Sequence, residues 1–198
     1  MTEMHDRRDQ ILKEAKGLFS RQGFDRVTIK QLADACGITE PALYRHFDSK
    51  EAIYDAVLES LASFPGNEEL FARLAAESDL SVILPGIARH ILEVFSAYKD
   101  SYRLLLFATL REHARAREIF RSLRLPYVEF LKEQLRRLQA EGRVREMNVE
   151  ISARCFVGSV FDCALSGTMW KGFQGRSYSP EEIIANNVPV FVRGFSAI

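Results

Sequence analysis

The fold is decided by Thr28-Ile29-Lys30-Gln31-Leu32-Ala33-Asp34-Ala35-Cys36-Gly37-Ile38-Thr39-Glu40-Pro41-Ala42-Leu43-Tyr44-Arg45-His46-Phe47-Asp48-Ser49-Lys50. A threonine followed three residues later by glutamine is a capping box, so a helix opens at Thr28. Ile29, Leu32, Ala33 and Cys36 mark its buried face at helical spacing. Gly37 stops it, because glycine accepts the left-handed turn that closes a helix. Thr39 can cap a second, short helix through Phe47, and Pro41 falls in the first turn, where a missing N–H is tolerated. Leu43 and Phe47 lie four apart in that helix and point inward together with Ile38. Thr39, Glu40, Pro41, Ala42, Tyr44 and Arg45 stay on or near the exposed side. Two short helices joined through one glycine are a helix-turn-helix. A short helix that shows a tyrosine and an arginine outward has the size of a DNA major groove.

Outward from this stretch, nearly everything reads as helix. Ile11, Leu12, Ala15, Leu18 and Phe19 form the apolar stripe of a first helix that ends at Gly23. Asp48 or Ser49 caps a fourth helix running to about Phe64, where Pro65-Gly66-Asn67 breaks it. Ser81 to Tyr98 carries Ile83, Ile87, Ile91, Leu92 and Phe95 at helical spacing. A short apolar piece follows from Tyr102 to Leu110. A long amphipathic segment then reaches Ala140, with a kink expected at Pro126 and a stop at Gly142. From Val149 to Phe173 the chain is apolar on nearly all sides, through Phe156, Val157, Val160, Phe161, Ala164, Leu165, Met169 and Trp170. Such a helix must be covered all round. The last helix opens at Ser179-Pro180-Glu181-Glu182, with a kink expected at Pro189. No repeat or strand-like alternation is present, so the class is all-α.

The 198 residues are 47% hydrophobic and 27% charged, enough for a substantial core in a globular protein. No run reaches the roughly 18 consecutive apolar residues of a membrane span. The opening Met1-Thr2-Glu3-Met4-His5-Asp6 lacks the layout of a signal peptide, so the expected compartment is the cytoplasm. Cys36, Cys155 and Cys163 make no CxxC pair, which fits reduced thiols and no zinc site. Cys155 and Cys163 are about 12 Å apart along one helix and cannot pair with each other. All three are expected to be small buried hydrophobes, the alternative for Cys155 and Cys163 being a redox-sensing bridge between subunits.

His90, Glu93 and His113 read as a solvated set rather than metal ligands, and no cofactor motif is present. Arg111, Arg115, Arg117, Arg121 and Arg124, interleaved with Glu112 and Glu118, read as a solvated face. No nucleophile–base pair, carboxylate pair or metal cluster suggests an enzyme. The net charge is zero, and residues 1–50 hold nine basic side chains against eight acidic ones. Affinity for nucleic acid must therefore come from where charges sit and from amides at helix ends.

Gly37-Ile38-Thr39-Glu40-Pro41-Ala42-Leu43-Tyr44-Arg45-His46-Phe47, followed by Ser49-Lys50-Glu51-Ala52, resembles the recognition-helix signature of the tetracycline-repressor (TetR) family. Ala15, Leu18, Phe19, Gly23-Phe24 and Thr28-Ile29 fit its approach, and the resemblance covers about residues 8–58. Further on, Gly142-Arg143-Val144-Arg145 and Arg193-Gly194-Phe195 are similar in layout alone. The resemblance implies a helix-turn-helix DNA-binding domain over 1–48 and a helical effector-binding and dimerisation domain over 49–198. It implies that Thr28 holds a phosphate with its hydroxyl and helix end, and that Tyr44, His46 and Lys50 hold the phosphate backbone. Thr39, Pro41, Ala42 and Tyr44 would face base edges, with Arg45 beside them. Glu40 departs from the basic residue many relatives carry, and could accept from cytosine N4 or repel DNA.

The function so implied is a transcriptional regulator, a ligand-responsive repressor binding a palindromic operator as a homodimer. The alternative is a nucleoid-associated or division-control DNA binder on the same scaffold with no small-molecule effector. The sequence supports a dimer independently. The apolar helices 149–173 and 180–198 exceed what one small core covers, and Gly158, Ser159, Ala164 and Ser166 permit close approach. Phe95, Tyr98, Tyr102, Phe107, Tyr127, Phe130 and Phe161 make an aromatic middle. They could line a pocket for an apolar or aromatic effector, and each alone also reads as ordinary core.

Overall fold

Helix-capping chemistry sets the element boundaries of the N-terminal part. The computed structural model describes residues 2–61, 66–169 and 178–197. The expectations at Phe64, Pro65, Trp170 and Phe173, and for the side chain of Met169, lie outside the described residues. Helix α1 spans Thr2–Gln22, α2 Ile29–Cys36, α3 Glu40–Tyr44 and α4 Lys50–Ser60. The Thr28 capping box is closed, Thr39 Oγ1 accepts from the Ala42 N–H, and Ser49 Oγ accepts from the Ala52 N–H. Gly37 takes a left-handed φ of 65°, as the sequence required.

The C-terminal part differs more from expectation. A short helix α5, Glu68–Ala75, has no counterpart in the sequence reading. Then come α6 (Leu80–Ala97), α7 (Lys99–Leu110), α8 (Ala114–Ala140), α9 (Val149–Met169) and α10 (Pro180–Phe195). Pro126 and Pro189 lie inside α8 and α10, as does Pro85 inside α6, and none interrupts its helix. The described residues hold no strand, only an antiparallel bridge between Val144 and Ser196. There the Arg145 N–H donates to Phe195 O at 3.0 Å and the Ala197 N–H donates to Arg143 O at 3.0 Å.

The chain divides into two compact units, one of residues 1–64 with 100–121 and one of 65–99 with 122–198. In the first, α1 packs against α2 and α4, and α2 against α3. Ile11, Ala15 and Phe19 meet this core with Leu32, Ala33, Cys36, Leu43, Phe47, Ile53, Val57 and Leu58, all buried. Each such large side chain contributes about 1.5–3 kcal/mol by leaving water. Ile29, expected on the buried face of α2, is half-exposed.

In the second unit α6 is central, packing against α5, α9 and α10. Ile83, Leu84, Ile87, Ala88, Ile91, Leu92 and Phe95 bury more than one stripe of it. By length and composition α6 could cross a membrane, with a mean hydropathy of 1.4, which a search for unbroken apolar runs overlooks. Arg89, His90 and Glu93 interrupt it, and its apolar side chains are those of a core helix.

A Cβ on Gly37 would meet nothing within 4 Å, so only backbone strain opposes a side chain there. Gly37→Ala should therefore lower the urea midpoint by about 1 kcal/mol equivalent. An unchanged midpoint would show that the turn relaxes without loss.

Candidate nucleic-acid interface

The site starts from two capped helix ends. The Thr28 N–H donates to Gln31 Oε1 at 2.8 Å, and the Gln31 N–H donates back to Thr28 Oγ1 at 3.2 Å. The Thr28 hydroxyl is thus committed to its own helix. The remaining first-turn N–H groups, those of Ile29 and Lys30, are the ones an anion could use. One turn of chain later, Leu43 and Phe47 anchor α3 in the core. Thr39, Glu40, Pro41, Tyr44 and Arg45 are exposed, and Ala42 and His46 are half-exposed. Tyr44 is 48% exposed, unusual for so large an aromatic side chain.

Two cations that clamp this arrangement act on the protein itself. Lys50 Nζ donates to Phe24 O at 3.1 Å and to Val27 O at 3.0 Å, and lies 4.2 Å from the centroid of the Phe24 ring. Two of its three N–H groups thus fix the turn that leads into Thr28. Arg8 was not among the sequence candidates. Its Nη1 donates to His46 O at 2.9 Å, and its guanidinium stacks 4.1 Å from the Phe47 centroid. Its signal was its place at the head of the stripe Ile11, Ala15, Phe19.

A third set of contacts ties the α7–α8 corner to the same unit. Arg111 pairs with Asp25. His113 Nε2 meets Asp55 Oδ1 at 2.9 Å. Arg115 grips both Glu59 oxygens at 2.8 Å and reaches Glu118 at 3.0 Å. That grip holds the Glu59 carboxyl below its ordinary range and raises the guanidinium. Burial pushes the neighbouring Tyr54 up to about 12. Arg111, Arg115, Arg117 and Arg121 are all exposed, as a solvated face requires, and Arg111 and Arg115 in addition carry surface ion pairs to Asp25 and Glu59.

Four of the seven aromatic candidates cluster within the second unit. Phe95 meets Phe161 edge-on at 5.5 Å, and Phe161 meets Tyr127 at 6.3 Å. Phe71, missed because α5 was missed, lies 5.6 Å from Tyr127 and stacks 4.4 Å from Phe130. Tyr98, in the same unit, is 37% exposed. Tyr102 and Phe107 belong to the first unit, the former buried and the latter 36% exposed. His90 Nδ1 and the Tyr127 hydroxyl are 2.8 Å apart. Burial lowers His90 below its ordinary value and pushes Tyr127 up to about 12. Cys36 is buried as expected, Cys163 is half-buried, and Cys155 is exposed, contrary to expectation. Among the described residues no group of three His, Cys, Asp or Glu side chains could hold a metal.

Capped ends at 28 and 39, an inward Leu43–Phe47 anchor and an outward polar row define a helix-turn-helix DNA-binding head. The family model for bacterial regulatory proteins of the tetR family matches residues 11–57. A nucleoid occlusion factor SlmA of Aliivibrio fischeri is 30% identical over 165 residues, 78% of this chain and 80% of that protein. The class A tetracycline repressor of Escherichia coli is 31% identical over 94 residues, 48% of this chain and 42% of that one. Among solved structures, NalD, the secondary repressor of the MexAB-OprM efflux pump in Pseudomonas aeruginosa, superposes with a TM-score of 0.65. It is 20% identical, over 99% of this chain and 98% of its own. The chain belongs to the tetR family of bacterial regulatory proteins and is a DNA-binding transcriptional regulator.

Two outcomes follow from this geometry. Lys50→Met should weaken DNA binding and lower the slope of log affinity against log salt by at most about 0.9, the effect of one phosphate contact; an unchanged slope would show that Lys50 acts only through the turn at Phe24 and Val27. His90 is depressed in the folded chain, so the unfolded chain takes up its proton first as pH falls. Its contribution to stability is complete above the unfolded value of about 6.5 and is lost below it. The melting temperature should drop from pH 7.5 to 5.5, and His90→Gln should flatten that drop. An equally steep drop in the variant would assign it to other groups.

Proposed function

We propose that the chain is an effector-responsive repressor that binds an inverted-repeat operator as a homodimer in the cytoplasm. The observation that carries this reading is the outward row on α3, held by a buried Leu43 and Phe47. Thr39, Pro41, Ala42 and Tyr44 face base edges, with Glu40 and Arg45 beside them setting preference. The α2 N-terminus at Thr28, together with Tyr44 and His46, meets phosphates, and Lys50 offers only its third N–H. The reading head is residues 1–48, and residues 49–198 carry the effector and dimer functions.

The dimer forms through α9 and α10. Ile151 on α9 is 58% exposed and Val190 on α10 is 59% exposed, which leaves apolar surface for a second copy to cover. The cluster of Phe95, Tyr127, Phe130 and Phe161 gives the effector its apolar lining. A second reading is favoured by the SlmA likeness, which extends well beyond the head. On that reading the same scaffold binds many chromosomal sites and answers to no small molecule.

Selection of bound fragments from random duplex DNA, followed by sequencing, tests the proposal. An enriched inverted repeat with half-sites about 34–36 Å apart, falling at few promoters, is the expected result. Many dispersed sites without promoter bias would move the assignment to the second reading. Bulk retention without enrichment, falling steeply with salt, would overturn a sequence-specific operator.

A further inference from the structure

We propose that α5 and α6 hold a second small-molecule site, separate from the aromatic cluster, and that it takes a free amino acid with an apolar side chain. A cavity of about 390 Å³ opens between the two helices, within the roughly 300–1,000 Å³ of ordinary ligand sites. Its floor is apolar, made by Leu70 and Leu74 of α5 with Val82 and Pro85 of α6. Leu70 and Leu74 are buried, whereas Val82 is 43% exposed. Gly86 sets how closely the helices approach. A Cβ there would come 3.1 Å from both Leu74 methyl carbons, so glycine lets Leu74 rest on α6.

The rim carries both charge signs, and they do not neutralise one another. Arg73 of α5, Glu93 of α6 and Glu77, which follows α5, line the cavity. None of the three has an ion pair among the described residues. Arg89 and Glu93 stand four apart on α6, the spacing at which Glu150 and Arg154 pair on α9, yet Arg89 reaches Glu181 at 3.6 Å instead. Burial is the main influence on the imidazole of His90, and the charges of Glu93 and Arg73 then act on it in opposite senses. These two charges, from different helices, thus lie near one ring without pairing. His90 Nδ1 is taken by the Tyr127 hydroxyl at 2.8 Å, so Nε2 is the nitrogen left for a ligand. A carboxylate and an ammonium on one carbon fit such a gap. The carboxylate meets Arg73 with two parallel hydrogen bonds, and the ammonium donates to Glu93. The side chain then lies on Leu74, Val82 and Pro85. A plain acid brings an anion toward Glu93 with nothing to offset it, and a plain amine brings a cation toward Arg73 in the same way.

The test is calorimetric titration of the whole chain with leucine, against isocaproate, which lacks the ammonium, and isoamylamine, which lacks the carboxylate. Leucine should bind the wild type at least about tenfold more tightly than either analogue. Arg73→Met should bring leucine down to the level of the amine, and Glu93→Gln down to that of the acid. Both side chains are exposed, so neither change disturbs the core. Val82→Phe, which fills the cavity and removes no charge, should abolish binding of all three. Equal binding of leucine and either analogue overturns the proposal, as does no leucine binding at millimolar concentration. Leucine binding that persists in Val82→Phe would put the ligand elsewhere and overturn it too. The titration reads the ligand alone, so its outcome is independent of whether an operator is found.

Discussion

Between Cys36 and Ile38 the backbone passes through a left-handed conformation, and the rest of the reading head depends on that single turn. With Gly37 at a φ of 65°, its N–H donates to Asp34 O at 3.1 Å and the Ile38 N–H donates to Ala33 O at 3.0 Å. Both bonds close α2 and free the chain to start again at Thr39. The cap at Thr39 then fixes the phase of α3. Each residue advances a helix by about 100°, so a one-residue slip would expose Leu43 and drive Tyr44 toward the core. The outward row is therefore a consequence of where one helix stops and the next is capped. Side chains far from the row, Arg8 and Lys50, then lock this phase from outside the two helices.

The legible part of the molecule is the part decided within four residues. Capping threonines, a glycine stop and a first-turn proline act locally, and α2, α3 and the start of α4 follow from them. What the sequence hides is mostly long-range. Lys50 reaches carbonyls 23 and 26 residues back, Arg115 reaches Glu59 56 residues away, and His113 reaches Asp55 58 residues away. Periodicity does not tell such a side chain from a solvated one. Helix α5 escaped for a different reason. It is eight residues long, buries only Leu70 and Leu74, and has no side-chain hydrogen bond at its Asn67 cap. Missing it also hid Phe71, through which Tyr127 and Phe130 join one aromatic cluster.

The apolar character of α9 shows the limit of reading burial from composition. Phe156, Val157, Val160, Phe161 and Ala164 do turn inward, but Ile151 and Cys155 on the same helix stay exposed. A helix covered all round by its own chain would bury both. Small residues at Gly158, Ser159 and Ser166 leave room on this helix, and part of that room is taken by Arg124. The same helix thus carries inward packing, exposed apolar side chains and a glycine notch filled by Arg124.

A protein with no net charge can still present a cationic face to DNA, provided its carboxylates are engaged elsewhere. The near balance within residues 1–50 counts Asp25 as a free acid, yet it is paired with Arg111, in the turn that follows α7. Asp55 and Glu59 on α4 are likewise paired with His113 and Arg115. A carboxylate held by a cation contributes little to the field beyond about one Debye length, roughly 8–10 Å in physiological salt. Lys30 and Arg45 remain exposed near the two capped helix ends, opposed locally by Glu40 and Asp34. Binding that depends so little on bulk charge depends correspondingly more on amide donors at helix ends and on base-edge contacts. Those are the contacts that read sequence and position rather than merely attract a polyanion.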